Sequence, residues 1–286
     1  MSVNMLFLKV ISKLAPSVIY SISDIAAFIL FHIVRYRRTI SYQNISRSFP
    51  NKSKSEILEI QRNAYRYLTD TFLEICKEYS QTQEDLASRV TFENFSEIKK
   101  AIDNNQKLIF LTGHTGPIEW IGHAASVYLG IPIDPVYKPS HNKAIDRFIF
   151  AIRSRYQATP IPYKTLAKDI ILRKNVTRCI AILADLEPRS RDQAVEIDFL
   201  SQKTRFFLGP ERMAKISNMP VYFVAIKNTK RGKYSATAHL ISMNPKELEP
   251  EVLTRKFAMC MEELIIENPA AWLWTHRRWK NKRTKA

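Results

Sequence analysis

The chain has 286 residues, of which 45% are hydrophobic and only six are glycine, and it contains no repeat or low-complexity tract. This length suits one large domain or one domain with a helical annex, and the composition excludes solenoids, propellers and disordered scaffolds. Forty-four Lys and Arg against 27 Asp and Glu give a net charge of +17, which indicates a polyanionic partner: nucleic acid, an anionic membrane surface or an acidic protein.

The first predicted element is an apolar segment from Leu14 to Val34 that is about as long as a bilayer span. Pro16, Asp24 and His32 make it a poor transmembrane helix, and basic residues on both sides leave its topology undecided. No small-residue cleavage site follows, which argues against a removed signal peptide. We predict a membrane-anchoring helix within residues 1–38 that either spans the bilayer or lies in its interface. A buried core helix is the alternative.

Residues 39–105 are predicted to form a helical lead-in. Pro50, Asn51 and Ser53 are typical of a loop and helix cap, and apolar residues then recur at helical spacing from Ile57 to Ile75. This pattern predicts an amphipathic helix that serves mainly in packing.

After residue 107, short apolar runs alternate with helical stretches, a pattern typical of an α/β fold. We predict a mixed, largely parallel sheet flanked by helices. The predicted strands lie within 107–112, 131–137, 179–186, 220–226 and 234–243, and the predicted helices lie near 118–129, 142–156, 164–174, 210–218 and 251–267.

The stretch "LIFLTGHTGPIEW" (108–120) places polar residues directly after a predicted strand. Ligands of open α/β sheets bind beyond the carboxyl ends of strands. Gly116 and Pro117 are suited to open a helix, with Glu119 in its first turn. The spacing allows His114 and Glu119 to meet across the turn, so that the carboxylate holds one ring nitrogen and the other can take a proton.

Other interpretations of this stretch remain open from the spacing alone. His114 can be a structural histidine, and His123 can be the partner of Glu119 because it lies one helical turn further on. A zinc site formed by His114, Glu119 and His123 lacks the HExxH spacing and a fourth ligand. No Ser or Cys stands in a GxSxG elbow, so the sequence does not indicate a covalent acyl-enzyme.

The remaining signals bear on the class of protein. Cys76, Cys179 and Cys260 show no paired spacing, which favours a reducing compartment. A nucleic-acid-binding protein would explain the charge, but the sequence has none of the usual modules. A non-catalytic membrane scaffold is a further alternative.

Several blocks of the sequence together resemble the lipid A biosynthesis acyltransferases, the late lauroyl and myristoyl transferases of Gram-negative bacteria. HTGPIE is a form of the HxxxxD/E signature of glycerolipid-type acyltransferases. The other blocks, in the order of the family, are "YRRTISYQNISRSFP", "RSRYQATPIP", "AILADLEP", "FFLGPERMAK" and "NPAAWLWTHRRWK". The resemblance covers nearly the whole chain, and it implies that residues 39–286 form the acyltransferase domain.

The resemblance implies a catalytic set of four residues. His114 would be the general base, and Glu119 would orient it. Arg153 would face the acyl thioester or the phosphates of a glycolipid, and Asp185 matches the aspartate of the family's DQ block. Leu186 follows that aspartate where the family has Gln, so the contact that the Gln makes is lost or replaced.

Further residues are implied to bind substrate: Arg155, Gly113, Gly209 and Arg277. A departure from the family lies next to Arg155, because "RYQA" has Gln157 where the family usually has a Gly after the aromatic residue. Such departures leave the identity of the acceptor less defined than the type of reaction.

The resemblance also implies the partners. The donor would be an acidic acyl carrier protein or coenzyme A thioester, and the acceptor would be a hydroxyl of an anionic lipid A precursor. No metal and no resident cofactor are expected, and nucleic acid is not expected as a partner. The protein would lie at the inner membrane with its active site facing the cytoplasm. Trp272, Trp274 and Trp279 can form a membrane-interface belt or belong to the core.

Overall fold

The computed structural model describes residues 9–140, 142–188 and 193–279. Its first part is helical. The helices are α1 (Pro16–Phe28), which continues through a π-helical turn (Ile29–Ile33), α2 (Arg38–Ser48), α3 (Lys54–Glu78) and α4 (Gln83–Ala87). Ser53 and Glu56 form a capping box that fixes the start of α3.

The second part is built on a seven-stranded sheet with the strand order β1-β9-β8-β2-β5-β3-β4, next to a separate hairpin of β6 and β7. The strands are β1 (Val90–Glu93), β2 (Leu108–Thr112), β3 (Ile133–Tyr137), β4 (Ile161–Pro162), β5 (Cys179–Leu183), β6 (Ala194–Phe199), β7 (Gln202–Phe207), β8 (Val221–Lys230) and β9 (Lys233–Ser242). The helices are α5 (Ser96–Asp103), α6 (Ile118–Leu129), α7 (Lys143–Arg153), α8 (Leu166–Leu172), α9 (Gly209–Ser217) and α10 (Val252–Glu267).

The sheet is largely parallel, because only the pairing of β8 with β9 is antiparallel. Strand β2 lies at its centre and is buried along its whole length. Ile109 and Leu111 point into one apolar core, and Leu108 and Phe110 point into a second core on the other face. Helix α6 contributes to the second core. The predicted α/β class, with a mixed, largely parallel sheet flanked by helices, is confirmed.

The five predicted strands and five predicted helices of this part are all present, with ends that differ by a few residues. Strands β1 and β4 and the β6–β7 hairpin were not predicted, because β1 and β4 are short and the hairpin is interspersed with charged residues. Helix α6 begins at Ile118, and Glu119 lies in its first turn as predicted.

Helix α1 packs along α3 and leaves its other side exposed. Ser23 donates a hydrogen bond to Thr69 of α3 over 2.8 Å, and Arg231 binds both Asp24 of α1 and Asp70 of α3. Within the described residues, one helical stretch, Pro16–Ile33, is long and apolar enough to cross a membrane, with a mean hydropathy of 1.5. Only 22% of this stretch is buried, so it is not a core helix.

Candidate active site

The parallel register of β2 and β5 brings His114 and Asp185 together. Thr112 lies opposite Leu183 at the ends of the two strands, and the next residues but one are His114 and Asp185. The Nδ1 atom of His114 lies 2.7 Å from Oδ1 of Asp185, and the backbone N–H of His114 donates to Oδ2 over 3.0 Å. Two residues 71 positions apart in the sequence thus form one unit at the carboxyl edge of the sheet.

Asp185 is held by one further side chain. Its own side chain is fully buried, and the indole N–H of Trp272 donates to Oδ2 over 2.9 Å. At Gly113, an added Cβ would lie 2.6 Å from the Sδ atom of Met261. Gly113 therefore allows the side chain of Met261 to pack closely against the turn that carries His114.

The charges of the pair set its protonation. Burial raises the pKa of Asp185, but the charge of His114 and the hydrogen bonds from His114 and Trp272 outweigh it and lower the pKa to about 2. Burial likewise lowers the pKa of His114, but the Asp185 charge, its hydrogen bond and the nearby charge of Glu119 together raise it above the ordinary 6.5. The imidazole keeps 31% of its surface exposed, and no described residue forms a hydrogen bond with its Nε2. The ring can thus take a proton at Nε2 while Asp185 stabilises the resulting charge.

Glu119 does not form the expected hydrogen bond with the imidazole of His114. The Oε1 atom of Glu119 accepts two hydrogen bonds from Arg153, at 3.0 Å from Nε and 2.6 Å from Nη2. Its Oε2 atom is buried and has no partner among the described residues. Glu119 points toward the last turn of α7, where Arg153 ends the helix. The Glu119–Arg153 pair lines the same cavity as His114.

His123 is not the partner of Glu119 either. Its Nδ1 atom contacts the buried carboxylate of Glu78 at the end of α3. His114, Glu119 and His123 therefore each have a different partner, which removes the zinc site considered from the sequence. No group of three or more potential ligands occurs within the described part of the chain.

Two cavities meet at Ile118, Glu119 and Arg153. The outer cavity, of about 210 Å³, contains His114 and lies between α3, the turn before α6 and residues 271–273. The inner cavity, of about 80 Å³, lies between α6 and the sheet. Apolar side chains from α6 and four neighbouring strands line most of it, among them Phe110, Ile121, Ile133, Ala181, Val224 and Ile226.

This arrangement places His114 and its Asp185 partner at one cavity, next to an apolar cavity beneath a helix that shares three lining residues with the first. A model of the bacterial lipid A biosynthesis acyltransferase family matches residues 1–281 of the chain. The chain belongs to this family. The protein is thus an acyltransferase of lipid A biosynthesis, as the sequence blocks had indicated. A comparison with functionally curated proteins gives no match.

In this acyltransferase, Arg153 borders both cavities, and its contact with the thioester or with glycolipid phosphates stays a prediction. Arg155 does not line either cavity. Its guanidinium donates to the backbone carbonyl oxygens of Glu78 and Gln81, the latter over 2.6 Å. Arg155 therefore ties the end of α3 to the loop after α7, and its expected contact with substrate stays a prediction.

Gly209 and Arg277 also lie away from the two cavities of the acyltransferase. Gly209 opens α9, and the ring of Phe207 leaves no room there for a side chain. Arg277 is exposed. Its neighbour Arg278 is 1% exposed and pairs with Glu187 over 2.7 Å. Of the two adjacent arginines in the terminal block, Arg278 is therefore the buried one.

Trp272 and Trp274 of the terminal block are buried in the core, at 4% and 1% exposed. Trp279 packs against the same core, is partly buried and donates to Thr204 over 2.7 Å. Of the two interpretations that the sequence left open for these tryptophans, the core is the one that the structure shows. Trp272 is the residue beside the candidate site that sequence reasoning missed. Its contact with Asp185 spans 87 positions, and no local pattern reports such a contact.

Proposed function

We propose that the protein transfers a fatty acyl group from an acyl carrier protein or coenzyme A thioester to a hydroxyl of a lipid A precursor, with His114 as the general base. The observation that carries this proposal is the His114–Asp185 pair, because Asp185 holds Nδ1 and leaves Nε2 free at the outer cavity. Asp185 takes the orienting role that the sequence had suggested for Glu119.

In the proposed reaction, the acceptor hydroxyl binds in the outer cavity and gives its proton to Nε2 of His114. Its oxygen forms a bond to the thioester carbonyl carbon, and the carbonyl electron pair moves to oxygen. The tetrahedral oxyanion then lies near Arg153 and the N–H groups of the first turn of α6. On collapse, the C–S bond breaks and the thiolate takes the proton from His114. The products are an ester and a free thiol.

Arg153 and Glu119 would position the donor at the junction of the cavities. The Arg153 side chain is 20% exposed, whereas Glu119 is nearly fully buried. Because Glu119 binds Nε and Nη2 of the guanidinium, the Nη1 group remains for an oxygen of the thioester or of a phosphate. The inner cavity would take the acyl chain, since its lining is mostly apolar.

The charge of the chain supports acidic partners. A net charge of +17 favours both an acidic acyl carrier protein and a phosphorylated glycolipid. We further propose that the exposed apolar side of α1 holds the protein at the inner membrane, with its active site on the cytoplasmic side, where the thioester donor would reach it.

The direct test is mass spectrometry of lipid A from cells with and without the gene. We expect the loss of one acyl chain of defined length in the deletion strain, restored by the wild-type gene and not by His114→Ala. The purified enzyme should transfer acyl groups from an acyl carrier protein thioester to a hydroxylated lipid A precursor. Unchanged lipid A, together with no transfer to any such precursor, would overturn the proposal. Transfer to a lysophospholipid or aminolipid alone would assign the same chemistry to another acceptor.

A further inference from the structure

A second buried histidine faces the inner cavity. His123 lies on α6 one helical turn after Glu119, lines the inner cavity and is 4% exposed. Its Nδ1 contacts Glu78, whose side chain is fully buried. No residue in the described part of the chain forms a hydrogen bond with Nε2 of His123, so this nitrogen is available to a water molecule or a ligand at a cavity with mostly apolar walls.

Packing alone does not account for this pair. Burying polar groups is unfavourable unless they are hydrogen-bonded, and an apolar pair of similar size would fill the same space. Oε2 of Glu78 is buried without a partner among the described residues, and the ring of Tyr156 packs on His123 with centroids 5.1 Å apart. The imidazole is thus held in place by one nitrogen and by ring packing, while the other nitrogen remains available for a contact with a ligand.

We propose that His123 is a hydrogen-bonding subsite for a hydroxyl group on the acyl chain of the donor. The inference rests on the proposed function, because it requires that the inner cavity hold that chain. A hydroxyl fits Nε2 in either protonation state, since it can both donate and accept a hydrogen bond. A charged group does not fit, because the apolar walls would leave it without solvation.

The position of His123 along the helix sets where the hydroxyl lies. Four residues of α-helix advance about 6 Å, so the subsite is a few carbons beyond the thioester if the carbonyl lies near Glu119 and Arg153. An unsubstituted chain would leave Nε2 unpaired, whereas a hydroxylated chain would satisfy it. The enzyme therefore selects a hydroxyacyl donor over an unsubstituted donor of the same length.

The first measurement uses the wild-type enzyme and needs no substitution. Acyl carrier protein thioesters of acyl chains that carry a hydroxyl a few carbons beyond the thioester are compared by kcat/KM with unsubstituted chains of equal length. We expect the hydroxyacyl donor to be favoured by about tenfold. Equal efficiency, or preference for the unsubstituted donor, would overturn the subsite while leaving acyl transfer intact. If neither chain were transferred, the proposed function would fail and the subsite with it.

The second measurement compares two variants. His123→Phe keeps a ring against Tyr156, and combining it with Glu78→Met avoids leaving an unpaired buried carboxylate. In this double variant the ratio of the two kcat/KM values should fall to about one. The matched control is Ile121→Val, which changes another wall of the same cavity and should keep the wild-type ratio. A double variant that folds and retains the preference would contradict the proposal.

Discussion

At the scale of single residues, the site depends on how Asp185 is held. Its carboxylate accepts hydrogen bonds from the backbone and ring of His114 and from the indole of Trp272 while it is fully buried. A buried carboxylate with this many donors remains charged. It can therefore fix the imidazole in the tautomer that leaves Nε2 free and stabilise the imidazolium of the proposed reaction.

Asp185→Asn tests this role. An amide at this position removes the negative charge that raises the pKa of His114, and its NH2 group can donate to Nδ1 and so force the proton onto Nε2. We expect kcat/KM to fall by about 100-fold or more. In the wild type, activity should decline as the pH falls through the raised pKa of His114. In the variant, that acidic limb should move to lower pH.

Asp198→Asn is the matched control, because Asp198 is 76% exposed and pairs with Lys203 on the β6–β7 hairpin. Its pH–rate profile should coincide with that of the wild type. An Asp185→Asn variant with an unshifted acidic limb would show that another group sets the pKa of the base.

Trp272→Phe tests the indole contact. The substitution keeps an aromatic ring but removes the N–H that lies 2.9 Å from Oδ2 of Asp185. The carboxylate then loses one of its donors, and we expect kcat to fall by about tenfold. Trp274→Phe removes the same volume from the same cluster, but that indole donates to the Pro269 carbonyl instead. Equal losses of kcat in the two variants would mean that packing, not the hydrogen bond, is what matters.

At the scale of elements, helix α6 serves both cavities through side chains one turn apart. Glu119 lies at the junction of the two cavities, and His123 lies on the wall of the inner cavity. The spacing of Glu119 and His123 on one helical face had suggested that they bind each other. Instead, α7 supplies the partner of the first and α3 the partner of the second.

The loop after α7 contains two consecutive residues with left-handed backbone conformations. Tyr156 and Gln157 have φ angles of 51° and 64°, in the left-handed region that favours glycine. Gln157 is exposed and occupies the position where the family usually has glycine. The backbone geometry thus explains why glycine suits this position, because glycine adopts this conformation without strain and glutamine does not.

Gln157→Gly should therefore stabilise the protein. We expect a gain of roughly 0.5–1 kcal/mol in the free energy of unfolding, since relief of the strain exceeds the entropic cost of glycine. For a chain of this size the gain corresponds to a rise of about 1–3 °C in Tm, measurable by thermal denaturation. Gln157→Ala retains the strain and should give no rise. A lower Tm for the glycine variant would show that the glutamine side chain contributes a contact of its own.

At the scale of the whole molecule, the charge and the exposed side of α1 act together. The outward residues of α1 and its π-helical turn are apolar, with Ile25 61%, Phe28 58% and Ile33 67% exposed. Arg35 follows them and is also exposed. Because α1 is held on α3 by Arg231 and the Ser23 hydroxyl, the whole body would follow this face onto a lipid surface.

Ile25→Glu with Phe28→Glu tests the membrane face. Wild-type protein should bind vesicles containing anionic lipid more tightly than neutral vesicles, and the difference should shrink as salt is added. The double variant should lose most vesicle binding, because two carboxylates replace apolar area and repel the anionic surface. Vesicle sedimentation measures both effects.

The control for this experiment is Ile171→Glu with Leu172→Glu, on α8. Both residues are highly exposed, at 65% and 71%, but they belong to another element. This variant should bind vesicles like the wild type. Comparable losses in the two variants would show that general charge, rather than α1, governs vesicle binding.

The sequence by itself determined the family and most of the elements. Short apolar runs specify the β2 and β5 strands, and helical periodicity specifies α3 and α6, because burial of apolar faces depends on local spacing. The motif around His114 located the candidate base for a similar reason, since a strand and the turn that follows it are adjacent in the chain.

Only the tertiary structure decided the partners of these residues. Asp185 rather than Glu119 holds His114, Glu78 holds His123, and Trp272 lies in the core beside Asp185. The physical reason is that parallel strands are joined by long crossovers, so residues at neighbouring strand ends are distant in the chain. Spacing along one helix indicates which side chains share a face, and the strand register decides which of them meet.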